Sequence, residues 1–229
     1  MNKIINIFTS PSEAFRELRE KPTFLLPVAA LVLASCAVIL WYYSVVDIPW
    51  LMERSLEMSS ADIPADQREQ MIEQMSQAPR GVLAATSAIA TGLIVIVLML
   101  LMAMYLTFVS MFTNDGLRFS QWFSLVSWAS LPVVLSSIAA LVNLALRDAT
   151  YLPAEELNPL ALRNLLGLDV TGTGFAATLL TYGDPTSIWA LALMIVGYRQ
   201  WTGKDFAVSA LIVAAPLLAI VVAGFLLSM

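Results

Sequence analysis

Five long apolar stretches, Phe24–Val46, Val82–Phe112, Trp122–Leu146, Pro185–Tyr198 and Phe206–Leu227, contain no charged residue, and the charges crowd into the gaps between them. In hydrocarbon every backbone N–H and C=O must be satisfied within the chain, and an apolar helix of about 20 residues does so while crossing a core ~30 Å thick. The pattern therefore predicts an all-α fold: a polytopic membrane helical bundle with five transmembrane helices. Composition agrees, with 59% hydrophobic and 13% charged residues, beyond the roughly half-apolar share of a soluble domain.

The charges also set an orientation. With the N-terminus cytoplasmic, the inner segments carry Lys3, Arg16, Arg19, Lys21, Arg118, Arg199 and Lys204, and the longer outer segments carry Arg54, Arg68, Arg80, Arg147 and Arg163. Every lysine is then inside, as the positive-inside rule asks. The C-terminus falls on the extracytoplasmic side. The chain divides into a cytoplasmic amphipathic arm, 1–23, and a five-span membrane domain, 24–229, whose outer loops are 47–81 and 147–184.

In the arm, Ser10-Pro11-Ser12-Glu13 reads as a helix start, with Ser10 as N-cap, Pro11 at the first position and Glu13 closing a capping box. Ala14, Phe15 and Leu18 then share a face beside Arg16 and Arg19, and Ile4, Ile5, Ile7 and Phe8 form an apolar anchor upstream. Two readings are open. Phe15, Arg16, Leu18 and Arg19 form an interaction surface on a short surface helix, or the arm packs beneath the bundle.

In the first outer loop a helix is expected through Gln77, ending at Pro79, with an apolar stripe of Met71, Ile72 and Met75. Gly172–Tyr182 reads as a further interfacial helix that dips into the bundle. The second span is longer than a bilayer needs, and the fourth is short, with Gly183-Asp184-Pro185 as its cap. Pro132 and Pro216 each remove a helical hydrogen bond inside a span and predict kinks. The two inner turns echo each other in Gly116-Leu117-Arg118-Phe119 and Gly203-Lys204-Asp205-Phe206.

Catalytic chemistry is scarce. The chain has no histidine, so histidine acid–base and metal chemistry is excluded. Neither Gly-x-Ser-x-Gly nor a zinc-binding His-Glu-x-x-His occurs. No ionisable group is expected at mid-membrane: Asp184 reads as an interfacial cap and Arg199 as part of the positive-inside bias. Glu155, Glu156 and Asp169 could gather a divalent cation through oxygen ligands, but read as water-facing loop residues, so no metal and no cofactor is expected. Cys36, the single cysteine, ends a lipobox-like Leu33-Ala34-Ser35-Cys36, yet Ala37–Val46 continues the apolar run, which marks an uncleaved span.

The segment Ile7-Phe8-Thr9-Ser10-Pro11-Ser12-Glu13-Ala14-Phe15 resembles the Ile-Phe-x-x-Pro-x-Glu-Ala-Phe opening of bacterial members of the Yip family, named for Ypt/Rab-interacting membrane proteins. Gly116, Leu131-Pro132, Ser187-Ile188-Trp189 and Gly197 agree with it. The resemblance implies a five-helix membrane domain with a cytoplasmic N-terminus, in a bacterial inner membrane. The arm is short and the Asp-Leu-Tyr-Gly-Pro motif of many eukaryotic members is absent, which argues against a Rab-type GTPase as partner.

Two functions follow as expectations. The first is a non-enzymatic scaffold or membrane-organising protein whose partners are membrane lipids and a second copy or another membrane protein, with no nucleic acid. The second is a transporter, channel or lipid-handling protein for a neutral or lipidic substrate. Its cavity would lie among spans three to five, near Pro132, Asn143, Asp184, Trp189, Arg199 and Pro216.

Overall fold

The computed structural model describes residues 3–58, 64–168 and 175–227. Every regular element among them is helical: α1 (Lys3–Thr9), α2 (Pro11–Glu20), α3 (Leu25–Val45), α4 (Ile48–Met58), α5 (Ala65–Gln77), α6 (Arg80–Thr113), α7 (Phe119–Ala129), α8 (Val133–Leu146), α9 (Leu162–Leu165), α10 (Phe175–Tyr182), α11 (Pro185–Thr202) and α12 (Phe206–Leu227), with a 3-10 turn at Ala154–Glu156. Four segments are long and apolar enough to cross a membrane: Leu25–Val45, Arg80–Thr113, Phe119–Leu146 and Phe206–Gly224. The helix α11, counted as the fourth span from sequence, is not among these four; its 18 residues include Thr186, Ser187, Arg199, Gln200 and Thr202 toward its ends.

The third segment is broken where the sequence places a kink. Its two halves, α7 and α8, meet at Ser130–Pro132, where the amides of Val133 and Val134 reach back only three residues, to Ser130 and Leu131. Pro132 supplies no amide and so cannot close the α-helical ladder. Pro216, by contrast, sits inside a continuous α12. The central pair is α3 against α6, with Ala84, Ala88 and Gly92 buried at four-residue spacing along α6. Small residues let helix backbones approach closely, and here the Cys36 thiol donates to the Ala88 carbonyl at 3.3 Å. Cys36 thus lies inside α3.

The arm takes the second of its two readings. Phe15 and Leu18 are 0% exposed, so the expected interaction surface is corrected: Arg16 and Arg19 stay exposed, but the apolar half of α2 faces the bundle. The indole of Trp201 donates to the Phe15 carbonyl at 2.6 Å, and Gln121 Nε2 donates to the Arg19 carbonyl at 2.8 Å. The following residues are pinned to α7, since Ser124 Oγ (2.8 Å) and Trp128 Nε1 (2.7 Å) both donate to the Thr23 carbonyl. Gly197 makes this possible. A Cβ there would lie 3.1 Å from two carbons of the Phe15 ring and 3.0 Å from Leu125 Cδ1.

The expected capping box at Ser10 does not form. Ser10 precedes α2 and Pro11 is at its first turn, but the Ser10 side chain makes no cap hydrogen bond. Half of such a box forms at α7, where Gln121 Oε1 accepts from the Arg118 amide at 2.9 Å, while the Arg118 guanidinium has no acceptor to return the bond. The two echoing turns meet at this arm end: Lys204 Nζ lies 2.8 Å from Asp115 Oδ1, and Gly116 and Gly203 both have positive φ.

At the opposite, distal end the loops fold onto the helices. Tyr42 Oη donates to the Leu152 carbonyl at 2.9 Å, Arg80 Nη1 donates to the Val46 carbonyl at 2.9 Å, and Arg54 pairs with Glu155 at 2.7 Å. The helix expected to end before Pro79 is α5. Met71 on it is exposed and Ile72 half-buried, whereas the Met75 side chain lies outside the described ones.

Candidate functional site

Asp184 starts α11 as its N-cap, where a carboxylate satisfies otherwise unpaired first-turn amides. Its Oδ1 accepts from the Ser187 amide (2.8 Å), Thr186 Oγ1 (2.7 Å) and Ser187 Oγ (3.1 Å). Its Oδ2 accepts from Ser136 Oγ (2.6 Å) on α8 and from Asn158 Nδ2 (2.8 Å) in the distal loop. One carboxylate, 3% exposed, therefore ties together α8, the loop and α11. Buried charges are stable only when hydrogen-bonded in this manner.

The cap expected at Asp184 forms, and it is set well along α8. Ser136 is the fourth residue of α8, and α8 continues to Leu146. Ten residues of helix rise ~15 Å, so Asp184 sits about that far below the distal end of α8. The carboxylate is thus buried within the bundle, packed among α8, the distal loop and α11. The chain reaches this depth because α10 turns sharply into α11: the Gly183 amide donates to the Leu179 carbonyl at 2.8 Å, and a Cβ on Gly183 would meet that oxygen at 2.5 Å. Leu162 N donates to the Gly183 carbonyl at 2.9 Å, which ties α9 to the same turn.

Beside the node, α8, α10, α11 and α12 enclose a groove of about 570 Å³. Val133, Leu179, Ile188, Met194, Leu217 and Ile220 make most of its wall apolar, with Asp184 and Ser187 at one side. Both Asp184 oxygens are already occupied by donors, so the carboxylate shapes the groove rather than offering it a free charge. The arrangement suits a hydrocarbon chain and gives an ion no ladder of ligands.

The other residues expected around a cavity do not assemble there. Pro132 and Pro216 are chain neighbours of the lining residues Val133 and Leu217 but do not line the groove. Asn143 is buried elsewhere, its Nδ2 donating to the carbonyls of Glu156 (3.1 Å) and Leu157 (3.3 Å). Trp189 lies edge-on to Phe8 at 5.2 Å, and Arg199 lines a separate pocket at the arm end with Ser12 and Gln200. Ser136, Asn158, Thr186 and Ser187 were missed from the sequence. Thr186 and Ser187 carried a signal, since they follow Asp-Pro at a helix start; Ser136 and Asn158 carried none.

Among the described residues no group of three histidine, cysteine or acidic side chains is placed to hold a metal. Glu155 is taken up by Arg54, and Asp169 lies outside the described residues.

A family model described as the Yip1 domain matches residues 5–228, which include the docked arm, the broken third segment and the Asp184 node. The chain belongs to the Yip1 domain family. Its apolar helices and this membership together make it an integral membrane protein. No curated protein and no solved structure matches it.

Proposed function

We propose that this Yip1 domain protein is a non-enzymatic, membrane-organising scaffold that associates through its spans with a second copy or another membrane protein. It crosses a bacterial inner membrane five times, with α11 as the fourth span at ~27 Å, the arm cytoplasmic and the C-terminus extracytoplasmic. The observation that carries the reading is α12. It docks on α11 and α10 while Ala219 and Ala223 stay exposed and Ala215 half-buried, a row at four-residue spacing of the kind that lets helices associate in lipid.

A panel of single cysteines in a Cys36→Ala background tests this. Ala219→Cys is expected to yield crosslinked adducts with a second copy or a membrane protein in native membranes, and recovery of monomer alone overturns the scaffold. Within the same panel, an impermeant thiol reagent should reach Ser55→Cys from outside intact cells and Ser12→Cys only from the cytoplasmic side. The reverse labelling overturns the orientation.

The apolar groove favours a second reading, lipid handling. In that case, vesicles containing the protein exchange fluorescent phospholipid between leaflets faster than protein-free vesicles; equal rates remove this reading.

A further inference from the structure

A pocket of about 460 Å³ lies at the distal end, where the apolar segment Phe119–Leu146 stops, with Arg147, Arg163 and Asn164 on its wall. That volume is within the ~300–1,000 Å³ of small-ligand sites. Neither guanidinium forms an ion pair among the described residues, and the Arg163 Nε is buried without a hydrogen-bond partner. A buried guanidinium N–H without an acceptor is costly, so its natural complement is an anion that enters the pocket.

The described wall itself carries a positive balance. Glu156 is the one carboxylate on the described wall. Asp148, the chain neighbour of Arg147, keeps its charge, since the Thr150 hydroxyl (2.7 Å) and amide (3.0 Å) donate to it and hold its carboxyl below the usual carboxylate range, but it is not on that wall. Two guanidiniums against one carboxylate suit a singly charged phosphodiester, and the planar guanidinium fork matches phosphate oxygens. The surroundings point to its source. Leu168 on the wall is exposed, as are Leu146, Leu165 and Leu166 close in the chain to the arginines, so charge and exposed apolar side chains occur together in this region.

We propose that Arg147 and Arg163 bind the phosphodiester of a membrane phospholipid at the distal face, with Leu165 and Leu166 against its acyl chains. The site is separate from the Asp184 groove and does not depend on the scaffold reading.

The test uses the full chain in detergent, with thermal midpoints read while phosphatidylglycerol, a diacylglycerol of the same chains or inorganic phosphate is titrated in. Phosphatidylglycerol should raise the midpoint, and the other two should not. Arg147→Gln with Arg163→Gln should weaken the apparent lipid affinity at least tenfold, which corresponds to about 1.4 kcal/mol, and Arg163→Lys should fall between. Equal stabilisation by diacylglycerol would mean acyl packing alone, and equal stabilisation by inorganic phosphate would mean a free-anion site; either overturns the proposal, as does undiminished affinity in the double variant. The comparison of ligands on the unmodified chain stands even if the double variant does not fold.

Discussion

Phe15→Ala is expected to lower stability by about 3–5 kcal/mol, the usual cost of emptying a fully buried phenylalanine site. At roughly 2–4 °C per kcal/mol for a chain of this size, the melting midpoint in detergent should fall by about 6 to 20 °C. The same substitution should expose the arm to trypsin at Arg16 and Arg19, which are already at the surface but held in α2. Gly197→Ala should act on the same contact from the other side, because its Cβ would press on the Phe15 ring and Leu125. Overpacking of that kind costs about 1–3 kcal/mol. Since the alanine at 15 makes room for the methyl at 197, the two losses should not add. An unchanged midpoint and tryptic pattern for Phe15→Ala would show that the arm is not docked. Arg16→Glu with Arg19→Glu serves as the control and should leave the midpoint in place.

Asp184→Ala should be comparably damaging. It removes an N-cap worth about 0.5–2 kcal/mol and leaves buried donors from Ser136, Asn158 and Thr186 without their acceptor, at about 1–3 kcal/mol for each group that cannot turn elsewhere. A net loss of about 3–5 kcal/mol is expected, read again as a melting midpoint. Asp184→Asn separates the contributions. Its amide oxygen can keep the cap, and Ser136 can rotate to accept, but its amide nitrogen would then face the donating Nδ2 of Asn158. Adding Asn158→Ala should therefore restore part of what Asp184→Asn loses, although Asn158→Ala alone destabilises. If Asp184→Ala melts with the unmodified protein, the node holds nothing together.

The spans were legible because charge exclusion is a strong signal in lipid. Phe24–Val46, Val82–Phe112 and Phe206–Leu227 correspond to α3, α6 and α12 within a few residues, and the break at Pro132 followed from the missing amide. The sites were less so. Asp184 carried a clear capping signature, but its burial depends on how α10 and the loop around Asn158 pack against α8, and no local pattern encodes a distance between Ser136 and a residue 48 positions later. The α4 helix carries only a weak signal because its apolar residues are interrupted by Glu53, Arg54 and Glu57. The burial of Phe15 was equally hidden: an amphipathic helix presents the same stripe to a bilayer as to a bundle, and only the space left by Gly197 decides between them.

The bond from Trp201 to Phe15 bridges 186 positions, and this governs when the protein can finish assembling. At about 5–20 residues per second, the arm leaves the ribosome roughly 10 to 40 s before α11 exists to receive it. Throughout that interval Phe15 and Leu18 lack the α11 side of their native seat and have only α7 to pack on, so a nascent chain stalled before α11 presents a sticky leading segment to the translocation machinery or to its chaperones. Maturation thus closes from the last-made helices back onto the first-made one, and premature termination strands the beginning of the molecule as well as its end.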